Sequence, residues 1–231
     1  MLLAVVRRVE EPSSEPELLE RARSLAGLTL GELASRHALQ APPDLRRAKG
    51  FVGQLLERAL GASAGSRAHP DFQGLGVELK SLPVDRRGKP VESTFVCSIP
   101  LTEIGQVEWG ESRVWRKLRR VLWVPVEGER EIAVPLRRVG QALLWSPDEA
   151  DEVDLRFDWE ELAGLIGRGD VESITGHLGR VLQVRPKAAH GRVRRVGHDR
   201  EGTAFAALPR GFYLRATFTA RILEKHYALP R

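Results

Sequence analysis

Two carboxylates and one lysine stand close together in the sequence at a spacing that suits the cleavage of phosphodiesters. Asp71 follows a proline, and Glu78 and Lys80 flank a single leucine seven residues further on. Phosphodiester hydrolysis needs a divalent cation that neutralises the phosphate and generates a hydroxide. Mg²⁺ prefers carboxylate oxygens, and an ammonium beside them can orient the attacking water or stabilise the developing charge. The pattern therefore indicates a candidate magnesium-dependent hydrolytic site.

The same pattern also fits an exposed strand face that carries an ion pair, and the pattern alone favours that interpretation. Only Lys80 among the six lysines has an acidic residue two positions before it, but six lysines give roughly 0.8 such matches by chance. Two features favour a hydrolytic site instead. The opposite face of the strand is apolar, and a compact ammonium is kept here in a chain whose other basic residues are mostly arginines.

The elements that would position these residues can be predicted from periodicity. Residues 75–82 predict a strand, because apolar side chains at 75, 77 and 79 alternate with Glu78 and Lys80. Residues 50–60 predict an amphipathic helix just before it. Glu57 on that helix could add a third carboxylate to the metal site, and the alternative is an exposed helical glutamate.

Helices and strands follow one another along the rest of the chain. Ser14 with Glu17 and Thr29 with Glu32 fit capping boxes that begin two helices. Further strands are predicted at residues 94–99, 121–126, 181–185 and 212–215, and further helices at residues 146–166 and 219–226. Helices therefore flank a mixed β-sheet, which is an α/β (α+β) pattern. Residues 1–12 are expected to be a loose N-terminus.

Composition narrows the choice of partners. The 231 residues suffice for one large domain or two small lobes. The net charge of +5 favours a polyanionic partner such as nucleic acid or a membrane surface, although 36 basic residues against 31 acidic ones is a modest excess. The single cysteine, Cys97, allows no disulfide within the chain and suits a cytoplasmic location. The apolar residues 1–6 are too few to span a bilayer.

Other groups of residues give weaker signals. The six histidines lack metal-ligand spacing, and the sequence has neither a GxGxxG fingerprint nor a Walker A loop, which argues against nucleotide cofactors. Residues 113–120 form a basic patch that suits either phosphate contacts or a solvated face. Lys49 and Lys117 could reach phosphates, but their spacing alone favours solvated surface lysines. Cys97 lies in an apolar strand and is expected to be a buried structural thiol.

Short segments over residues 17–226, taken in order, resemble the MutH family of PD-(D/E)xK endonucleases. The segments that carry the resemblance are LGELA (30–34), KG (49–50), LGASAGS (60–66), DF (71–72), LGVELK (75–80), TFVC (94–97), RVLWVPVEGER (120–130), LLWSP (143–147), DWEEL (158–162), RPKAA (185–189) and LPRGFYL (208–214). The resemblance implies a single restriction-endonuclease-like domain over residues 1–231, with two lobes around a DNA cleft.

The resemblance also implies a function. MutH-like enzymes are magnesium-dependent endonucleases that nick the unmethylated strand of double-stranded DNA at hemimethylated GATC sites in mismatch repair. They act in the cytoplasm as monomers, and MutL activates them after MutS has found a mismatch. Carried over by position, Asp71, Glu78 and Lys80 are the catalytic set, with Glu57 as the additional acidic residue of the metal site.

Further residues match family segments that approach DNA. Lys49 and Lys117 match lysines near the scissile phosphate or the DNA, and Lys117 is counted with the catalytic residues. The residues expected near the GATC bases are Arg185, Pro186, Lys187 and Tyr213. A methyl group on the adenine amino group lies in the major groove, where a tightly packed tyrosine or proline can sense it. Without the resemblance, Tyr213 would be interpreted as a half-buried strand aromatic.

Residues 190–207 depart from the family, are rich in glycine and arginine, and are expected to form a mobile loop that orders on DNA. A restriction-type endonuclease that cuts both strands at GATC is the alternative function. One copy of the catalytic pattern and no internal repeat favour the nicking enzyme. A catalytically silent DNA-binding module is a third possibility, which the intact set of Asp71, Glu78 and Lys80 argues against.

Overall fold

A computed structural model describes residues 9–46, 48–63, 69–187, 194–198 and 201–227. The chain divides into two units, each described by itself below. The first unit comprises Met1–Val91, Arg120–Trp145 and Leu223–Arg231, and the second comprises Glu92–Arg119 and Ser146–Ile222. Each unit therefore combines segments that are distant in the sequence.

The first unit begins with α1 (Glu15–Ser24), α2 (Leu30–Arg36) and α3 (Phe51–Leu60). Both predicted helix starts are confirmed. The hydroxyl of Ser14 accepts a hydrogen bond from the amide of Glu17, whose carboxylate reaches back to Ser13. Thr29 and Glu32 form the complete reciprocal capping box. Such caps satisfy amides that the first turn of a helix leaves without intrahelical partners.

The strands, in chain order, are β1 (Glu78–Val84), β2 (Thr94–Ser98), β3 (Val121–Glu127), β4 (Leu143–Trp145), β5 (Leu182–Pro186), β6 (Arg195–His198), β7 (Ala204–Ala207) and β8 (Arg210–Leu214). In the first unit, β1 pairs parallel with β3, and β3 pairs antiparallel with β4. This sheet is therefore mixed, as predicted. Leu79, Leu122 and Val124 on one face belong to the same buried cluster as the leucines of the three helices.

The second unit contains α4 (Arg113–Leu118), α5 (Glu149–Gly167) and the first part of α6 (Ala216–Tyr227). Its main sheet is antiparallel in the order β2-β8-β5, and β6 pairs with β7 as a separate two-stranded ladder. Asp148 caps α5 by accepting from the amide of Asp151, which confirms the predicted helix start. Leu155, Leu162 and Ile166 bury the inner face of α5.

The α+β class is confirmed, but several elements differ from the sequence-based expectation. The strand predicted from residue 75 begins at Glu78, because residues 73–76 form a turn. The expected mobile loop at residues 190–207 includes β6 and β7, whereas residues 190–193 and 199–200 lie outside the described part of the chain. Cys97 is buried, as expected. Within the described residues, the helices are too short or too polar to cross a membrane.

Candidate functional site

A tight turn brings Asp71 to the start of β1. Phe72 and Val77 exchange both backbone hydrogen bonds, at 2.9 and 3.2 Å, and so form an antiparallel bridge. Gly76 closes the turn with φ +68°, a left-handed conformation that glycine adopts without steric cost. The Asp71 carboxylate then accepts a hydrogen bond from the amide of Leu79 at 3.0 Å. Local backbone pairing thus places the first carboxylate of the pattern beside the strand that carries the second.

Glu78 and Lys80 lie on the same side of β1 and contact each other. The Lys80 ammonium donates to the Glu78 carboxylate at 2.6 Å. This ion pair is buried, with side-chain exposures of 13% for Lys80 and 2% for Glu78, so the interpretation as an exposed strand face is wrong. A buried ion pair adds little stability relative to apolar side chains. Its burial beside Asp71 therefore favours a chemical role for the group.

Glu11 ties the turn that carries Asp71 to the preceding segment. Its carboxylate accepts from the hydroxyl of Ser63 at 2.6 Å and from the amide of Gly74 at 3.0 Å. Part of the terminus expected to be loose is therefore anchored at the site, while residues 1–8 lie outside the described residues. Sequence analysis missed Glu11, because no spacing or periodicity distinguishes it.

Glu57 and Lys49 lie in the same unit as the pair of carboxylates. Glu57 is half-buried on α3, and Lys49 is exposed just before that helix. Among the residues that the structure describes, no group of three or more acidic, histidine or cysteine side chains is arranged to hold a metal ion. The metal role of Glu57 and the phosphate role of Lys49 therefore stay predictions.

Lys117 belongs to the second unit and is buried, with 5% exposure. The interpretation of Lys117 as a solvated surface lysine is therefore wrong. The basic run forms the short helix α4, in which Val114, Lys117 and Leu118 face inward together because residues three and four apart share a helix face. The charges of the run concealed this period in the sequence.

The sheet of the second unit brings together the other predicted DNA contacts. Phe95 and Gln183 are the cross-strand neighbours of Tyr213, and Arg185 pairs with Gly211. Because side chains alternate between the faces of a sheet, these residues share one face. The Phe95 and Tyr213 rings meet edge to face, with centroids 5.3 Å apart.

Two cations lie over these rings. The Arg185 guanidinium carbon is 5.7 Å from the centroid of the Tyr213 ring, and the Lys187 ammonium is 3.2 Å from that of Phe95. Both distances are within the range of cation–π interactions. Burial raises the pKa of the Tyr213 hydroxyl. Tyr213 is half-buried, as expected from the sequence alone, and Pro186 is exposed at the end of β5.

Ser93 connects two of the polar side chains on this face. Its hydroxyl accepts from the Gln183 amide group at 2.9 Å and from the Arg185 guanidinium at 3.3 Å. We define the aromatic–cationic face as Ser93, Phe95, Gln183, Arg185, Lys187 and Tyr213. Sequence analysis missed the roles of Ser93, Phe95 and Gln183 here, because the strand pairing that unites them is not visible in a single sequence.

Comparisons with known proteins identify relatives of this chain. The family model described as DNA mismatch repair enzyme MutH matches residues 60–158. The DNA mismatch repair protein MutH of Photorhabdus laumondii is 54% identical over 218 residues, which cover 94% of this chain and 96% of that protein. The protein of the same name from Klebsiella pneumoniae is 53% identical, with 98% of each chain covered.

A third relative gives the same result. The DNA mismatch repair protein MutH of Vibrio cholerae is 53% identical over 94% of this chain and 98% of its own length. These relatives are named as repair proteins, which does not favour the restriction-type alternative. Identity at this level over nearly the full length shows that the chain belongs to the MutH family of DNA mismatch repair enzymes.

Proposed function

We propose that the protein is a Mg²⁺-dependent endonuclease that nicks the unmethylated strand at hemimethylated GATC sites during mismatch repair. The observation that carries this proposal is the buried group at the start of β1. Asp71 accepts from the amide of Leu79, and Glu78 accepts from Lys80 two residues further on. Two carboxylates and one ammonium are thus fixed by a single strand and its turn.

The residues present fit a hard divalent cation. Asp71 and Glu78 would hold it, because Mg²⁺ prefers carboxylate oxygens and both side chains are nearly fully buried. When bound, such an ion activates a water molecule and neutralises charge on the phosphate. The Leu79 amide orients the Asp71 carboxylate, and Lys80 holds the Glu78 carboxylate and supplies positive charge near the attacked phosphate. Glu57 is proposed as a further ligand.

The aromatic–cationic face is proposed to contact the GATC bases. Arg185 offers a planar guanidinium, which can pair with guanine in the major groove. Tyr213 offers a rigid ring, which the methyl group of a methylated adenine would displace. Pro186 and Lys187, at the end of β5, are proposed to contact the same bases. Lys49 and Lys117 are proposed to contact phosphates near the cleaved bond, which adds affinity without sequence preference.

The proposed setting is the cytoplasm, where the protein acts as a monomer on chromosomal DNA. MutL is the proposed activator, with MutS acting upstream of it. The family assignment and the expectations carried by the resemblance support these partners, and the intact pair of carboxylates supports a catalytic rather than a silent role.

A strand-resolved nicking assay tests the proposal. Hemimethylated GATC duplexes are incubated with Mg²⁺ or with EDTA, in the presence and absence of MutL and ATP. We expect metal-dependent nicks confined to the unmethylated strand and stimulated by MutL. Cleavage of both strands regardless of methylation would contradict the nicking role, and binding without cleavage under every condition would contradict catalysis.

A further inference from the structure

Asp158 is a fully buried carboxylate that the proposed chemistry does not use. It lies on the inner face of α5 with 0% exposure. Its two oxygens accept hydrogen bonds from three consecutive backbone amides, those of Arg180 at 2.9 Å, Val181 at 2.6 Å and Leu182 at 2.8 Å. Hydrogen bonds to charged groups are the stronger class, so Asp158 firmly fixes the segment that leads into β5.

The same segment is also held by Arg215. The guanidinium donates to the carbonyl oxygens of Gly176, Leu178 and Gly179, at 2.8, 3.0 and 2.9 Å. Asp158 thus accepts hydrogen bonds from the amides of the segment, and Arg215 donates hydrogen bonds to its carbonyls. Because a guanidinium presents its donors in a fixed fork, three carbonyls in this geometry constrain the loop tightly.

Gly179 allows the loop to close on the carboxylate. It has φ +81°, and a side-chain carbon added there would lie 1.8 Å from the carbonyl oxygen of Leu182 and 3.4 Å from the Asp158 carboxyl carbon. The backbone therefore passes too close to itself for any other residue. We call Asp158, Gly179 and Arg215, with residues 176–182, the β5 clamp.

The β5 clamp sits where two strands of the aromatic–cationic face begin and end. Leu182 is the first residue of β5 and pairs with Leu214, which directly precedes Arg215. The next pair along the ladder is Gln183 with Tyr213. A shift of one residue in this register would turn every side chain of β5 to the other face. The clamp therefore determines which side chains of β5 stand beside Tyr213.

We propose that Asp158 and Arg215 are positioning residues for base recognition: by clamping residues 176–182 they fix the register and depth of β5, and with it Arg185, against Tyr213. This inference rests on the proposed function, since it assumes that the aromatic–cationic face contacts GATC. Asp158 is fully buried, so it would act through the position of β5 and not through contact with DNA. Its loss should therefore loosen recognition while leaving the group at Asp71 and Glu78 intact.

The test uses the full-length protein with Asp158→Asn and Arg215→Lys. Asparagine keeps the size of the side chain but replaces one acceptor oxygen with a donor that faces backbone amides. Lysine keeps the charge of Arg215 but loses the fork. Glu160→Gln and Arg156→Lys are matched controls, because these residues form an exposed pair on α5. Nicking is measured on hemimethylated GATC and on a duplex with one base pair of the site changed, together with thermal unfolding.

We expect Asp158→Asn to lower the ratio of kcat/KM between GATC and the altered duplex by about tenfold, within the range of one mismatched base pair. Arg215→Lys should lower it by a smaller factor. The kcat at saturating GATC duplex should change by less than about twofold, since the chemistry is untouched. The two control variants should keep the wild-type ratio.

An unchanged ratio in both variants, with lower unfolding temperatures, would overturn the proposal and leave the clamp a structural anchor only. If Asp158→Asn does not fold, Arg215→Lys decides between the two outcomes, and failure of both variants to fold would also overturn it. If the wild-type protein shows no preference for GATC, the proposed function is overturned instead. The wild-type ratio of kcat/KM between the two duplexes shows this before any variant is compared.

Discussion

The two candidate sites of this protein are assembled over very different distances along the chain. Asp71, Glu78 and Lys80 lie within ten residues, and one turn and one strand place them. The aromatic–cationic face draws on three strands, and its Gln183–Ser93 hydrogen bond joins residues 90 positions apart. A site made by local backbone pairing can be recognised from spacing, whereas a site made by strand register cannot.

The two sites also differ in how far their charges are exposed. Asp71 and Glu78 are 6% and 2% exposed, so their environment is fixed before any ligand arrives. Arg185 and Lys187 are exposed and lie over aromatic rings, which leaves them accessible to a partner. Preorganised buried charge suits stabilisation of a transition state, and exposed cations on a rigid aromatic support suit recognition.

Removal of the Lys80 ammonium should separate the two sites most clearly. In Lys80→Ala, nicking of hemimethylated GATC duplex should fall by about 10²–10³-fold, because the variant lacks the charge that is proposed to lie near the reacting phosphate. DNA binding, measured by fluorescence anisotropy without Mg²⁺, should remain within about twofold, since the proposed base contacts lie in the other unit.

Lys89→Ala is the matched control, because Lys89 is an exposed lysine in the turn that follows β1. It should keep wild-type nicking. Equal losses of binding and nicking in Lys80→Ala, accompanied by a collapse of the unfolding transition, would show that the buried pair is a core element and not a catalytic one.

The complementary change is Tyr213→Ala in the aromatic–cationic face. The ratio of nicking rates between hemimethylated and fully methylated duplexes should fall by about tenfold, because the variant lacks the ring that is proposed to sense the adenine methyl group in the major groove. The rate on the hemimethylated duplex at saturation should change much less. Val153→Ala serves as control, because Val153 is an exposed apolar residue on α5 of the same unit. A larger effect on the saturated rate than on discrimination would contradict the division of roles.

The turn before β1 offers a test of local assembly. Gly76→Ala places a side chain at φ +68°, which costs about 1–2 kcal/mol of folding free energy. Because this turn holds Asp71 beside Leu79, nicking should fall severalfold even at temperatures where the protein remains folded. Gly53→Ala on α3, where an added carbon meets no atom within 4 Å, should be neutral or stabilising.

Both sites show what a single sequence can and cannot reveal. The helix starts at Ser14 and Thr29 and the order of Asp71, Glu78 and Lys80 were predictable, because capping and strand periodicity act over a few residues. The burial of Glu78 was not predictable, since the alternation of residues 75–82 predicts a polar outer face. Burial depends on what else in the unit packs against that face.

The second unit was harder to predict for the same reason. Lys117 was interpreted as a solvated surface lysine from spacing alone, although the helix period of α4 turns it inward with Val114 and Leu118. Asp158 carries no signal in the sequence, since its partners are backbone amides more than 20 residues away. Contacts to the backbone are set by the path of the chain and not by residue type.

The smallest expected effect is on stability at alkaline pH, where one tyrosine from each unit can be compared. Burial raises the pKa of Tyr227 to about 12 from its ordinary value of 10.0, and its hydroxyl donates to the carbonyl of Gln141. Burial also raises the pKa of Tyr213. In each case the folded state holds the proton more tightly than the unfolded chain. The stabilisation is therefore complete below about pH 10, and it decreases as the pH rises from there toward the folded-state pKa.

Tyr227→Phe should lower the free energy of unfolding by about 1 kcal/mol at pH 8, because it removes the hydrogen bond. Between pH 9.5 and pH 11, the unfolding temperature of this variant should fall less steeply than that of the wild type. Tyr213→Phe should flatten the same curve by a smaller amount, because the Arg185 guanidinium opposes the rise that burial causes in the pKa of Tyr213. Thermal unfolding at a series of pH values measures both slopes. A shallower alkaline loss in Tyr213→Phe than in Tyr227→Phe would place the more strongly protected hydroxyl at the aromatic–cationic face. A deeply sequestered Tyr213 would then be unsuited to meeting a base in the major groove.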